Sequence, residues 1–496
     1  MNTTEICINC NYEILIPILD QKKEYLCPHC EIRIDVWKNQ YLQIDFDLKQ
    51  PKDIICIDFG TSSLRAAIQK KNEVTQAIEI GKQFQSQIDD LSIHSAIWIS
   101  EDGSLIEFGE RAVQLGFNPT IHKSSLFEIS PKKWITDGSQ IFDIDTPIFK
   151  NGISKAHLIS GLISLAIYGV SKQLKMDLDD VRKCEIRISH PIWDKKIENK
   201  LQLALEKLLS DALLVWDKAL NGIKTKELGL LLSGKIASVI FSKQVVTEPI
   251  AAALTLFENL DNSLAFVVVI DVGAGTTDMA AFYSTSYDPS TVGAMLGKFK
   301  RQLLPLGKPL SIFKAGDLID FVLIEILSIK NKELTPIETQ DIINRRRNIK
   351  ESVFKFNETR EYGQVVTYNE ITNHPTIQEF IKEIKEKFDF LIESCKADIS
   401  PRIKRNALHR IDSIKVVFAG GGGKIKFLQD AIGAEVNIDN ILMPIEHIAI
   451  TRSNIKSNIS DFLIGRLAVC LGGTTHKKDW PKVAIPTITS YRGLPP

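Results

Sequence analysis

One arrangement occurs twice in this chain, and it limits the fold more than any other feature. Ile54–Phe59 (IICIDF) is an apolar strand interrupted by Asp58, and Gly60-Thr61-Ser62-Ser63 leads into a second strand-like stretch, Leu64–Ile68. About two hundred residues later, Leu264–Ile270 runs into Asp271-Val272-Gly273-Ala274-Gly275-Thr276-Thr277-Asp278, and Met279–Tyr283 continues. Each unit is strand, tight turn, strand, with a carboxylate at the turn. Glycine lets backbone approach a phosphate closely, and the following N–H and hydroxyl groups can donate to it. Asp58 can hold a hydrated magnesium ion. One such turn reads equally well as a surface hairpin. Two predict a duplicated architecture whose turns face each other across a cleft, clamp a polyphosphate and share one magnesium between Asp58 and Asp271. In a third segment, the strand Ile414–Phe418 precedes Gly420-Gly421-Gly422-Gly423, and Lys424–Leu428 reads as a helix start. Four glycines in a row let a flat ligand lie against the backbone.

With 496 residues the chain suggests about two to four domains. Lys+Arg 61 balance Asp+Glu 61, which argues against a protein held mainly by nucleic-acid phosphate or an anionic membrane. The 44% hydrophobic and 25% charged fractions are those of a globular protein. The longest apolar helix-like stretch, Ala156–Val170, is shorter than the ~20 residues of a membrane span and predicts a core helix. A polar start, Met1–Glu5, gives no secretory signal, so a cytoplasmic protein is expected.

Four of the eight cysteines are patterned: Cys7-x2-Cys10 and, sixteen residues on, Cys27-x2-Cys30. Two such pairs are a tetrahedral zinc signal; a pair of disulfides is the alternative in an oxidising compartment. The spacer suggests a hairpin, with Tyr12–Leu19 as a strand, Asp20–Lys23 as the turn and Glu24–Leu26 as the return. A unit this small would draw its folding energy from the metal. Residues 1–46 carry four basic residues (Lys22, Lys23, Arg33, Lys38) against seven acidic ones, which favours protein docking or a structural role over nucleic acid. Cys56, Cys184, Cys395 and Cys470 are scattered among apolar residues and read as core cysteines.

The order of the Asp58 turn, Glu248-Pro249-Ile250-Ala251-Ala252-Ala253-Leu254, the Asp271 turn and the Gly420 turn resembles the actin/heat-shock chaperone/sugar-kinase ATPase superfamily. The Glu-Pro helix start and the Asp-x-Gly-x-Gly-Thr-x-Asp turn are most similar to the nucleotide-binding domain of the DnaK-type heat-shock chaperones. Ser130-Pro131-Lys132-Lys133-Trp134-Ile135 also resembles virulence-associated actin-like proteins of the SrfB type. The likeness spans about residues 54–472. It implies an α/β fold of two actin-like, ribonuclease-H-like lobes after a small β zinc ribbon. The ribbon would take 1–46, a linker 47–53, lobe I 54–262 and lobe II 263–459. A closing helix near 460–472 would return to lobe I, and an extended tail would take 473–496. No room is expected for a separate peptide-binding domain.

The resemblance also implies roles. Asp58, Gly60, Thr61 and Ser62 would meet the β- and γ-phosphates and magnesium of ATP or ADP. Asp271, Gly273, Ala274, Gly275, Thr276, Thr277 and Asp278 would form the second phosphate turn, where Ala274 replaces a glycine common in the chaperones. Glu248 would hold the attacking water or a magnesium-bound one, with an N-terminal helix acid as its bland alternative. Lys132 would aim at that water, with Lys123 and Lys133 as competitors. Gly420 to Gly423 and Lys424 would carry adenosine. Lys350 would contact base or ribose, although Arg347 stands where the family has an acid. Thr376 and Glu379 suggest a capping box after Pro375, ahead of apolar residues at helical spacing from Ile377 to Ile392. The basic run Arg402–Arg410 suggests a solvated helix face. The implied activity is slow, magnesium-dependent ATP hydrolysis in a chaperone-like switch whose protein partner docks on the lobes or the ribbon. A self-assembling ATP-dependent filament, a partner-binding pseudo-ATPase and, less well matched, a small-molecule kinase are the alternatives.

Overall fold

The computed structural model describes residues 2–6, 13–17, 24–26 and 33–35. It also describes 53–475 apart from 72, 87, 119–120, 137–143, 149–151, 191–194, 233–239, 242–245, 258–264, 288–299, 331–334, 404–410, 451–458 and 460. The protein is a mixed α/β structure with several sheets.

Near the N-terminus, β1 (Asn2–Ile6) pairs antiparallel with β2 (Glu13–Pro17), and β3 (Glu24–Leu26) with β4 (Arg33–Asp35). This corrects the expected hairpin. The strands at 13–17 and 24–26 fall where the sequence predicts, but each pairs across a connection that contains a Cys-x2-Cys pair. Loop length does not decide, because the connections 7–12, 18–23 and 27–32 are equally long. Cys7, Cys10, Cys27 and Cys30 lie outside the described residues, as do residues 47–52 of the expected linker and the tail beyond residue 475.

Two large sheets follow, and they repeat one pattern. In the first, β5 (Ile54–Phe59) has the antiparallel neighbour β6 (Ser63–Gln69), then β7 (Gln76–Ile78). On its other side are the parallel strands β8 (Glu185–His190) and β9 (Ile240–Phe241). In the second, β10 (Ala265–Val272) has the antiparallel neighbour β11 (Thr277–Tyr287), then β12 (Lys300–Ile312). On its other side is the parallel strand β13 (Ile414–Ala419). An antiparallel pair at that edge, β14 (Glu435–Ile438) and β15 (Ile441–His447), joins through β15, which runs parallel to β13. Reading outward from β5 or β10, strand order and polarity match. Both central strands are buried along their whole length, as consecutive apolar residues require of a strand covered on both faces.

Helices cover the sheets. The Ala156–Val170 stretch lies in α1 (Lys155–Leu174), whose first turn is capped by Ser154 and which packs into the core of the first sheet. Helices α3 (Gly316–Lys330), α4 (Pro336–Phe356) and α5 (Pro375–Ile403) share a core with the second sheet. Helices α2 (Glu248–Phe257) and α6 (Asp461–Gly473) pack together in a third core that joins Ala67 and Ala77 of the first sheet to Val267, Val269 and Phe282 of the second. Their approach is close: a Cβ on Gly472 would lie 1.8 Å from the Ala251 carbonyl oxygen. Among the described residues no helix is long and apolar enough to cross a membrane.

The capping box expected at Thr376 is absent. Pro375 is itself the first helical residue, and the ring Nδ1 of His374 accepts from the Thr376 N–H at 3.4 Å. Glu379 instead accepts from Lys314. Ile377, Phe380, Ile384, Phe388, Leu391 and Ile392 are buried along α5, whereas Ile381 is partly buried. The four scattered cysteines are free and buried. The basic run 402–410 falls almost wholly outside the described residues.

Candidate functional site

The two Asp turns and the tetraglycine turn meet at one cavity of about 700 Å³. Asp58, Gly60, Thr61 and Ser62 line one side of it; Asp271, Gly273, Ala274, Thr276 and Asp278 line another, and Gly420, Gly421, Gly422 and Lys424 a third. Lys132, Glu248 and Lys350 line it as well. Gly275, Thr277 and Gly423, expected to bind the nucleotide, are not among the residues that line the cavity. A Cβ on Gly275 would lie 3.0 Å from the Thr61 methyl, so the two Asp turns stand in contact. The Thr277 hydroxyl donates to the Lys314 carbonyl at 2.9 Å, fixing the turn to the segment before α3. Gly420 has φ +77°, and a Cβ there would sit 2.4 Å from Asp271 Oδ1, so only glycine fits between the third turn and the second.

The strands set the side-chain geometry. In β5–β6, Asp58 lies opposite Arg65, whose guanidinium is 3.4 Å from Oδ2, and the Ser189 hydroxyl donates to Oδ1 at 3.1 Å. Arg65 Nε also donates to the Ser92 hydroxyl at 3.1 Å. In β10–β11, Asp271 lies opposite Asp278, so a second acid stands where the first hairpin has an arginine. The Thr276 hydroxyl donates to Asp278 Oδ2 at 3.0 Å, while Asp278 Oδ1 is buried with no hydrogen-bond partner among the described residues.

Glu248 opens α2 and is buried against Lys132, with which it forms an ion pair and hydrogen bond. Lys123 pairs with Glu101, and Lys133 with Glu128, both with largely exposed ammonium groups. Of the three lysines considered, only Lys132 lines the cavity. Burial is the largest influence on Glu248; Lys132 opposes it while Asp278 and Asp58 add to it, and the result is a pKa of about 7. Burial also drives Asp271 well above the ordinary aspartate value, reinforced by Glu248, Asp278 and Asp58 against Lys132 alone. Asp278 is raised, again chiefly by burial. For Lys132, burial works downward but is outweighed by the carboxylates around it, and the pKa rises.

On the tetraglycine side, Lys350 pairs with Asp320 at 2.5 Å and donates to the Gly316 carbonyl at 3.1 Å. Arg347 binds Glu351 at 3.1 Å, and Arg466 binds Glu351 at 2.7 Å and Asp89 at 3.5 Å. An acid is therefore present one turn beyond Arg347, but two arginines hold it. The Arg346 guanidinium lies 5.8 Å from the Phe117 ring centre. The sequence reading missed Arg65, Ser189, His94, Glu351 and Arg466. Arg65 had a signal, because it follows Asp58 at the spacing by which Asp278 follows Asp271.

The arrangement suits a bound magnesium polyphosphate. Four acids converge with fewer cations than charges, one oxygen is orphaned, and glycine turns leave backbone open on both sides. No protein-family model matches the chain, and no curated protein is detectably similar to it.

Proposed function

We propose that this chain is a two-lobed actin-like ATPase that binds and slowly hydrolyses magnesium ATP and uses the nucleotide to switch its conformation. One observation carries the reading. Two sheets that share the order and polarity of five strands each end a central strand in an Asp-x-Gly turn, and both turns line one cavity with the tetraglycine turn. Phosphoryl transfer needs positioning and charge stabilisation more than covalent chemistry, and facing glycine turns supply both.

Magnesium would neutralise phosphate charge, held through its water shell by Asp58 and Asp271. Among the described residues no three His, Cys, Asp or Glu groups converge as direct ligands. Thr61 and Thr276 would flank the γ-phosphate, and Arg65 would add positive charge beside the first turn. Lys132 and Glu248, locked together, would orient the attacking water. Adenosine would lie on Gly420 to Gly422, with Lys424 and Lys350 at its edges. Helices α2 and α6, packed between the sheets, would serve as the hinge through which loss of the γ-phosphate loosens the cleft. Calorimetry and phosphate release tests this: the wild type should bind ATP only with magnesium and cleave it slowly. Absence of both binding and cleavage would remove the reading.

A zinc ribbon at residues 1–46, as a docking module for a protein partner, belongs to the same proposal. Metal analysis should find about one zinc per chain, lost in Cys27→Ser. A thiol reagent on the native protein should find the N-terminal cysteines only after chelation. Burial pushes Cys56, Cys184 and Cys395 up to about 12 and Cys470 well above its ordinary value.

A further inference from the structure

His94 lines the same cavity, and Glu110 lies buried beside it; the ATPase reading gives neither a role. His94 ends the short strand Ser92–His94, which pairs with the first phosphate turn itself: Ser63 lies opposite His94, and Arg65 opposite Ser92. Opposed residues of an antiparallel ladder share a face, as do residues two apart. His94 therefore stands on the face that carries Ser63, Ser92 and Arg65, with Asp58 on the next strand, and it lines the cavity. The neighbouring Ser95 hydroxyl donates to the Gly60 carbonyl at 2.8 Å, which ties this segment to the turn.

The ring is anchored on one side. Nδ1 is 2.8 Å from Glu110 Oε2, while Glu110 Oε1 accepts from the His94 backbone N–H at 3.0 Å and from the Ser86 hydroxyl at 2.8 Å. Burial alone would raise the Glu110 pKa, but these contacts outweigh it and lower it. A carboxylate only accepts, so neutral His94 carries its proton on Nδ1 and keeps a lone pair on Nε2. Among the described residues Nε2 has no hydrogen-bond partner. Asp58 is engaged with Arg65 and Ser189, and Glu248 with Lys132. Beside His94 the wall is apolar, formed by Ala96, Val113, Phe117 and Ile129 over a small separate core, which limits competing water.

We propose that His94, oriented by Glu110, accepts the proton of the water that attacks the γ-phosphorus; this rests on the ATPase reading. The water oxygen forms the new P–O bond as the bond to the β,γ-bridging oxygen breaks, and that electron pair leaves with ADP. One water proton passes to Nε2 and later to solvent, and the other stays on the released phosphate. His94 is the catalytic residue and Glu110 the positioning residue.

The test joins magnesium ATP binding, single-turnover hydrolysis and histidine side-chain nitrogen NMR. His94→Gln should bind magnesium ATP within about threefold of wild type, yet cleave it about 10²-fold more slowly, as expected for loss of a general base. In nucleotide-free wild type, His94 should show the Nδ1–H tautomer, and Glu110→Gln should shift it toward Nε2–H and slow cleavage about tenfold. Hydrolysis unchanged in His94→Gln, or an Nε2–H tautomer in wild type, overturns the proposal alone. The tautomer measurement decides even if His94→Gln does not fold. A wild type that binds no ATP ends the ATPase reading and this proposal together.

Discussion

The two Asp turns are alike in backbone and differ in charge. Asp58 and Asp271 are each the penultimate residue of a central strand, and each faces a hairpin partner, Arg65 in one case and Asp278 in the other. The first carboxylate has a guanidinium and a hydroxyl beside it. The second has three other carboxylates acting on it against one ammonium. Equal geometry therefore does not mean equal roles. The first turn brings its own positive charge, whereas the second has carboxylates on both sides of its hairpin.

The largest effect should separate chemistry from folding. Asp271→Asn should cut ATP hydrolysis about 10²–10³-fold, as loss of a preorganised electrostatic group does. Its nucleotide-free stability should rise at pH values where Asp271 is ionised, because burial and the neighbouring carboxylates disfavour its charged form. Asp58→Asn should instead lose about 3–5 kcal/mol by leaving buried Arg65 without its carboxylate. Urea unfolding of both variants without nucleotide would show it, and equal destabilisation would break the contrast.

A smaller effect is the pH dependence of the empty protein. Glu248 is raised from 4.5 to about 7, and Asp271 and Asp278 are raised with it. A folded-state pKa above the unfolded value means that the folded state keeps its protons longer. The Glu248 contribution is thus complete below pH 4.5 and lost as pH rises to about 7. Melting temperature should fall across that interval without magnesium. Added magnesium should restore more of it at the upper end, where the acids are ionised; a stabilisation independent of pH would count against the cluster as its site.

The smallest effect concerns the contact between the turns. Gly275→Ala places a Cβ 3.0 Å from the Thr61 methyl and 3.2 Å from its hydroxyl, and a flexible side chain can yield. A loss of about 1 kcal/mol in stability is expected, with a modest weakening of ATP binding. No change in binding would mean that the two turns do not close on the same ligand.

Much of the cavity lining was legible because its signals are local. A strand that runs into Asp-x-Gly, a Glu-Pro helix start and four glycines after a strand each occupy fewer than about a dozen residues and obey steric rules. What supports them was not legible. Ser189 reaches Asp58, Arg466 reaches Glu351 and Asp89, and Glu110 reaches His94 only after distant segments are brought together. No spacing in the chain announces those meetings. The N-terminal strands show the same limit, since the sequence placed those at 13–17 and 24–26 but not their partners at 2–6 and 33–35. At Thr376, the cap pattern was outweighed by Pro375, which fits the first helical position because it has no N–H to leave unpaired.

The central claim is that both turns act on one magnesium nucleotide. Isothermal titration of wild type, Asp58→Ala and Asp271→Ala with ATP, with and without magnesium, measures it most directly. The account predicts tight binding by wild type only with magnesium and a large loss in both variants, with the residual magnesium dependence weakest in Asp271→Ala. Magnesium-independent binding, or wild-type affinity in either variant, would contradict it.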